Sequence, residues 1–192
     1  MSSKRNASKR KKINPHFWVF CEGETEEAYI IFLRSEYRLP IEIIPKIAGC
    51  DINEKYIKSF KRGKPTHEKD RDFLIYDANI QKILNKLKDI KSAKLIASNP
   101  AIELWFLLHY KNQKTFITEQ KCIKELCQRN RNDYKKGFID DKLKIKLKEK
   151  YKEACIRSKN LILFENPSTN IHEFITALED AKKDKELLYT LD

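Results

Sequence analysis

Short apolar segments alternate with amphipathic helical segments, and this alternation restricts the fold of the chain more than any other feature. The apolar segments have the length and composition of buried strands, and they cover residues 17–21, 41–47, 72–76 and 95–97. Apolar residues at helical spacing lie between them, as at Ala28, Ile31 and Phe32. The alternation predicts an α/β fold with a doubly wound, mostly parallel sheet.

From about residue 115 the pattern becomes mostly helical. Apolar residues recur at helical spacing around Ile123 and Leu126, and again over residues 143–154 and 171–188. No convincing linker separates this part from the preceding residues. The sequence therefore predicts one domain over residues 15–192, with a core at about 15–112 and a helical C-terminal extension at about 113–192.

The positive charge of the chain is concentrated at its N-terminus. Lys and Arg total 40 against 28 Asp and Glu, which gives a formal net charge of +12. Six of these cations precede residue 13 without any acidic residue, and they are Lys4, Arg5, Lys9, Arg10, Lys11 and Lys12. We expect residues 1–14 to form a flexible basic arm that binds nucleic-acid phosphates without sequence preference. A solvated terminus explains the same charges equally well.

The composition argues against several classes of protein. The apolar segment at residues 102–110 is interrupted by Glu103 and His109 and is too short to span a membrane. The N-terminus lacks the apolar segment and cleavage site of a secretory signal, so we expect a cytoplasmic protein. Five cysteines without a CxxC pair predict neither a disulfide framework nor a zinc site.

Acidic and amide residues follow three of the predicted strands at the point where each strand ends. In chain order they are Glu22 and Glu26, Asp77 and Asn79, and Glu103. Because the carboxyl ends of parallel strands meet at one edge of a sheet, we expect Glu22, Asp77 and Glu103 to lie within one coordination sphere or one bridging water of each other. Such oxygen ligands suit Mg²⁺ or Mn²⁺.

Several of these residues also have a structural interpretation. Glu26 can complement the dipole of the helix that follows, Asp77 can be a turn residue, and Asn79 can cap the next helix. Glu22 does not fit that account, because Gly23 permits a tight turn that leaves the Glu22 carboxylate projecting from the strand end.

His109 lies on the same predicted helix as Glu103. Asn99 is a candidate cap of that helix and Pro100 its first residue. His109 shares a helix face with Trp105, whereas Glu103 lies well round the helix. A histidine beside an aromatic residue on an apolar helix is usually a core residue, and a catalytic or phosphate-binding role is the alternative. The sequence leaves both interpretations open.

Three segments resemble the RloB-like family in content and order. They are residues 20–26, 98–110 and 166–172, within a similarity that covers about residues 18–178. The Glu-Gly pair at Glu22, followed further along by a strand ending in Asp77, also looks like the Toprim metal-binding domain of primases, topoisomerases and several nucleases. The resemblance implies a Toprim-like core. It also associates the chain with bacterial restriction-modification and abortive antiphage loci.

The same resemblance implies a function and a set of site residues. The function is metal-dependent hydrolysis of phosphodiester bonds in RNA, tRNA included, or in DNA, as part of antiphage defence by abortive infection. Glu22, Asp77, Glu103 and His109 would be catalytic, and Glu22, Glu26, Asp77, Asn79 and Glu103 would hold Mg²⁺ or Mn²⁺. An ATPase partner encoded nearby is also implied. The Toprim pattern has an aspartate where this chain has Asn79, so the alternative is a catalytically weakened module that binds nucleic acid or a protein partner.

Overall fold

A five-stranded sheet forms the centre of the molecule. A computed structural model describes residues 14–39, 42–130 and 134–189, so the six cations of the predicted basic arm lie outside the described residues. The strands are β1 (His16–Cys21), β2 (Glu42–Ile47), β3 (Arg71–Asp77), β4 (Lys94–Asn99) and β5 (Ser168–Thr169). Their order is β2-β1-β3-β4-β5; the first four pair in parallel and β5 is antiparallel to β4. The predicted α/β class with a mostly parallel sheet is confirmed.

Helices connect the strands and continue after them. They are α1 (Glu24–Tyr37), α2 (Glu54–Lys61), α3 (Gln81–Lys88), α4 (Glu103–Leu108), α5 (Glu119–Arg129), α6 (Asp141–Glu149), α7 (Tyr151–Lys159) and α8 (Ile171–Tyr189). A single 3₁₀ turn, Gly49–Asp51, precedes α2. None of the helices in the described part of the chain has the length and apolar character of a membrane span.

The two faces of the sheet carry separate hydrophobic cores. Successive side chains of a strand point to opposite faces, so Phe17 and Val19 of β1 enter one core and Trp18 and Phe20 enter the other. The first core includes residues of α1 and of α4 to α8, and the second includes residues of α2 and α3. Both faces are thus covered, as a parallel sheet requires.

The C-terminal helices pack onto the sheet through α4 and α8. Leu104 to Leu108 are fully buried, and α4 contacts both α5 and α7. Phe174 of α8 packs edge-on against Phe73 of β3, with 4.8 Å between the ring centroids. The part of the chain predicted to be helical therefore shares one hydrophobic core with β1 and β3.

The starts of two helices differ from the sequence predictions. Asn99 is the last residue of β4 rather than a helix cap, and its amide donates a hydrogen bond to the carbonyl of Phe164. Pro100 follows a cis peptide bond and does not begin α4. Asn79 does not cap α3, which begins at Gln81 with no side-chain cap. In each case long-range or loop geometry outweighs the local capping preference.

Two further features of the C-terminal part differ from the predictions. The helix predicted over residues 143–154 is two helices, since α6 ends at Glu149 and α7 begins at Tyr151. The short strand β5 was not predicted. It has only two residues, too few to show the alternation of a strand, and it forms because Ser168 and Thr169 pair with the end of β4.

Candidate active site

The candidate site lies where the strand order reverses. The chain passes from β1 to β2 on one side, and then places β3 on the other side of β1. Ligands of open parallel sheets bind outside the carboxyl ends of the strands at such a reversal. Glu22 directly follows β1 and Asp77 is the last residue of β3, so the topology brings these two acidic residues to the reversal.

Hydrogen bonds from the backbone orient Glu22 and Asp77. The Asp77 N–H donates to Oε2 of Glu22 over 2.8 Å. The Ile102 N–H, just before α4, donates to Oδ1 of Asp77 over 3.1 Å. A backbone amide therefore holds one oxygen of each carboxylate. For Glu22 the amide belongs to β3, and for Asp77 it belongs to the turn before α4.

Glu26 is held by the turn that begins α1. Gly23 is the N-cap of this helix, and its N–H donates to Oε2 of Glu26 over 3.0 Å. The Glu26 residue is only 6% exposed. The Glu26 side chain thus accepts a hydrogen bond at the N-terminus of α1, in line with its structural role at that helix. It is also buried.

Glu103 is the most deeply buried of the four acidic residues Glu22, Glu26, Asp77 and Glu103. The residue has 0% exposure, and its Oε1 accepts a hydrogen bond of 2.7 Å from the hydroxyl of Tyr134. Its other oxygen, Oε2, is buried and has no hydrogen-bond partner among the described residues. Buried polar atoms are nearly always partnered, so this oxygen is left available to a ligand.

A lysine beside Glu103 supplies positive charge. The Lys136 ammonium lies 2.7 Å from Oε1 of Glu119, the first residue of α5, and 4.0 Å from Oε1 of Glu103. Lys136 lies in a tight turn whose next residue, Gly137, donates its N–H to Oγ1 of Thr25 in α1. Gly137 has a φ of +74°, which favours glycine.

The four carboxyl groups of Glu22, Glu26, Asp77 and Glu103, here called the acidic cluster, influence one another electrostatically. Burial, together with the charges of Glu26, Glu22 and Glu103, raises the pKa of Asp77 to about 9. Burial and the charges of Glu103 and Glu22 raise the pKa of Glu26 to about 7. Burial also raises the pKa of Glu22. The folded protein thus concentrates carboxyl groups at one place at an electrostatic cost that a bound cation would reduce.

Within the described residues, the acidic cluster alone does not form a complete set of metal ligands. Among the described residues, no three Asp, Glu, His or Cys side chains converge tightly enough to hold a metal ion by themselves. Separate hydrogen bonds hold the carboxylates of Glu22, Asp77 and Glu103. The expectation that they lie within one coordination sphere or one bridging water of each other stays a prediction. Mg²⁺ commonly binds through one or two carboxylates and keeps several waters. Hard oxygen donors and the unpartnered oxygen of Glu103 fit such an ion.

The structure does not bring every predicted site residue into the cluster. Asn79 is exposed in the loop between β3 and α3. His109 is 2% exposed, its Nδ1 lies 2.9 Å from the Trp105 carbonyl, and its ring packs edge-on against Trp105. Burial lowers the pKa of His109 to about 4, and the charged groups that influence it are Arg157 and Glu153 of α7. These contacts are those of a core histidine.

Sequence reasoning missed Tyr134 and Lys136, which contact Glu103, and Glu119, which pairs with Lys136. Tyr134 and Lys136 lie in a segment without helical or strand periodicity, and Glu119 begins a helix that follows no strand. Tyr134 reaches Glu103 across 31 positions of the chain. No local pattern indicates a contact of this kind, because its two residues lie far apart in the sequence.

We expect the metal-free protein to lose stability as the pH rises from about 7 to about 8.5. Because the pKa of Asp77 is raised to about 9, the folded state keeps a proton that the unfolded state has already lost. Each such proton lowers the free energy of unfolding by about 1.4 kcal/mol per pH unit. Urea unfolding in EDTA at several pH values measures this slope, and the Asp77→Asn variant should have a shallower one. Equal slopes would contradict the burial and repulsion described for Asp77.

Comparison with models of protein families gives a match. A family model described as RloB-like protein matches residues 17–178. The matched part includes the whole acidic cluster, Tyr134 and Lys136, and it excludes the residues before Phe17. Comparisons with curated proteins and with solved structures find no match.

Proposed function

We propose that this chain, which belongs to the RloB-like protein family, is a metal-dependent nuclease that hydrolyses phosphodiester bonds of RNA or DNA. The observation that carries the proposal is the buried, unpartnered Oε2 of Glu103 within the acidic cluster. A buried carboxylate oxygen without a partner is costly unless a cation or a proton accompanies it. The position of the cluster at the strand-order reversal supports a ligand site there.

Mg²⁺ or Mn²⁺ is the ion that these donors would hold. Glu22, Asp77 and Glu103 would be its carboxylate ligands, with Glu26 and Asn79 as further candidates from the Toprim resemblance. When bound, an ion of this kind polarises a phosphoryl oxygen and lowers the pKa of a coordinated water.

The residues of the chain itself would prepare the site in three ways. The amides of Asp77 and Ile102 fix the orientation of two carboxylates before substrate binds. Glu26, with a pKa of about 7, can exchange a proton near neutral pH. Lys136 is about half exposed and lies beside Glu103, so its ammonium can contact a substrate phosphate at the edge of the cluster.

The proposal is tested by incubating the purified chain with end-labelled tRNA, single-stranded RNA and DNA in Mg²⁺, Mn²⁺ or EDTA. We expect cleavage of at least one substrate with a metal and none in EDTA. Binding without cleavage in either metal would favour the catalytically weakened binding module. The asparagine at position 79, where the Toprim pattern has an aspartate, supports that second candidate.

The family resemblance extends the proposal to a biological setting. The nuclease would act in antiphage defence by abortive infection, together with an ATPase encoded nearby. Glu22→Gln in the intact locus should then abolish protection against phage while the protein is still expressed. Protection that survives this substitution would contradict a nuclease role of the chain in defence.

We expect deletion of residues 1–12 to weaken nucleic-acid binding and to reduce its dependence on salt. The deletion removes the six clustered cations, and the slope of log affinity against log salt should fall by up to about 0.9 for each duplex phosphate that these cations neutralise. Fluorescence anisotropy between about 50 and 200 mM salt measures the slope. The thermal unfolding temperature is the control and should not change. An unchanged slope would identify the arm as a solvated terminus.

A further inference from the structure

Two phenylalanine side chains in the segments that carry Glu119 and Lys136 are exposed to solvent. Phe116, in the loop before α5, is 71% exposed, and Phe138, in the turn that contains Lys136, is 59% exposed. Exposing an aromatic ring of this size forfeits about 2 kcal/mol of burial free energy. Neither ring contributes to the hydrophobic cores on the two faces of the sheet.

One ion pair joins the two segments that carry these rings. Lys136, two residues before Phe138, contacts Glu119, three residues after Phe116, over 2.7 Å. The same lysine lies 4.0 Å from Glu103. The segments that carry the two rings are therefore linked to Glu103 of the acidic cluster through the Lys136 side chain.

Lysines accompany each ring. Lys114 precedes Phe116 by two residues, and Lys135 and Lys136 precede Phe138. All three lysines are exposed. An exposed aromatic ring among cations is the combination that binds single-stranded nucleic acid, because the ring stacks on a base while the cations meet the phosphates.

We propose that Phe116 and Phe138 stack on unpaired bases of a single-stranded nucleic acid that lies across the acidic cluster. The inference rests on the proposed function and deepens it, since it names the substrate class as single-stranded or locally unpaired. Bases in a duplex are stacked on one another and are not available to a protein ring. Duplex DNA and RNA should therefore bind more weakly than a single strand of the same length.

The lysines near the rings favour nucleic acid over an apolar protein partner as the occupant, although Asp140 and Asp141 also lie beside Phe138. A protein-binding surface is usually depleted of lysine at its centre, whereas each of these rings has lysine within two residues. A protein partner is a distinguishable outcome, because it would give no response to oligonucleotides.

Binding is measured by fluorescence anisotropy with a labelled single-stranded 12-mer of uridine or thymidine in EDTA, which separates binding from cleavage. Combining Phe116→Ala with Phe138→Ala should weaken binding about 10-fold or more, since each stacked base contributes substantially to affinity. The matched control combines Ile145→Ala with Ile156→Ala, two exposed aliphatic residues on α6 and α7. That control should bind as the wild type does. Equal binding by the phenylalanine variant and the wild type would overturn the proposal.

A tryptophan at position 138 reports stacking directly. Trp18 and Trp105 are at most 1% exposed, so the emission of an added exposed tryptophan in Phe138→Trp can be separated from theirs. We expect the single strand to quench this emission and a duplex of equal length to leave it unchanged. If neither the single strand nor the duplex quenched the emission, or if both quenched it equally, stacking on unpaired bases would be contradicted. Because no metal is present, these results stand apart from any failure to observe cleavage.

Discussion

Replacing Glu103 with glutamine is expected to lower metal-dependent cleavage at least about 100-fold, or about 2.7 kcal/mol of transition-state stabilisation. Glutamine keeps the size of the side chain and can still accept the hydrogen bond from Tyr134 that Glu103 accepts. It removes the negative charge and the buried, unpartnered carboxylate oxygen that we assign to the metal. Rates are measured under single-turnover conditions with the substrate identified for the wild type.

The thermal unfolding temperature in EDTA separates this effect from misfolding. Removing one buried charge relieves repulsion from Asp77 and Glu26, so Glu103→Gln should be at least as stable as the wild type without metal. Glu54→Gln is the matched control, because Glu54 binds Ser92, away from the acidic cluster. An active Glu103→Gln variant would exclude Glu103 from the reaction.

Asn170→Ala should destabilise the fold by about 2–4 kcal/mol. The Asn170 side chain accepts a hydrogen bond from the Ala97 N–H and donates one to the Leu95 carbonyl. Alanine leaves both backbone groups of β4 without these partners, at about 1–3 kcal/mol for each buried group. Urea unfolding measures the loss.

The same variant tests whether the segment at residues 166–170 is structural. The Asn166 side-chain amide donates a hydrogen bond to the Ile117 carbonyl, and its Oδ1 accepts one from the Ile117 N–H. In the same segment, β5 pairs with β4 at the edge of the sheet. We therefore expect Asn170→Ala to retain its cleavage rate per folded molecule at low temperature. Asn85→Ala, which changes an exposed asparagine on α3, should lose less than about 0.5 kcal/mol. A fully stable but inactive Asn170→Ala would place this segment in the reaction instead.

The parallel strands could be predicted from the sequence because they are buried on both faces. Such strands appear as continuous apolar segments, and Phe73 to Tyr76 in β3 is one of them. The two-residue strand β5 has no such signal and exists through its pairing with β4. The acidic residues could be predicted to lie together because the carboxyl ends of parallel strands meet at one edge of the sheet.

The rest of the site depends on contacts that are distant in the sequence. The hydroxyl of Tyr134 and the ammonium of Lys136, which reach Glu103, come from the segment after α5, a helix that packs against α4. The sequence also left two interpretations of His109 open. The structure shows His109 buried against Trp105 with a lowered pKa, because it directly follows the fully buried helix α4.

A titration of the chain with Mn²⁺, followed by calorimetry and by the loss of the free-ion electron paramagnetic resonance signal, tests the central claim most directly. The measurement is made at about pH 8 on the wild type, Glu103→Gln and the Glu54→Gln control. We expect the wild type and Glu54→Gln to bind Mn²⁺ with similar affinity, and Glu103→Gln to bind at least about 10-fold more weakly because a charged ligand is removed. Absence of binding to the wild type, or equal binding to all three proteins, would contradict a metal centre at the acidic cluster.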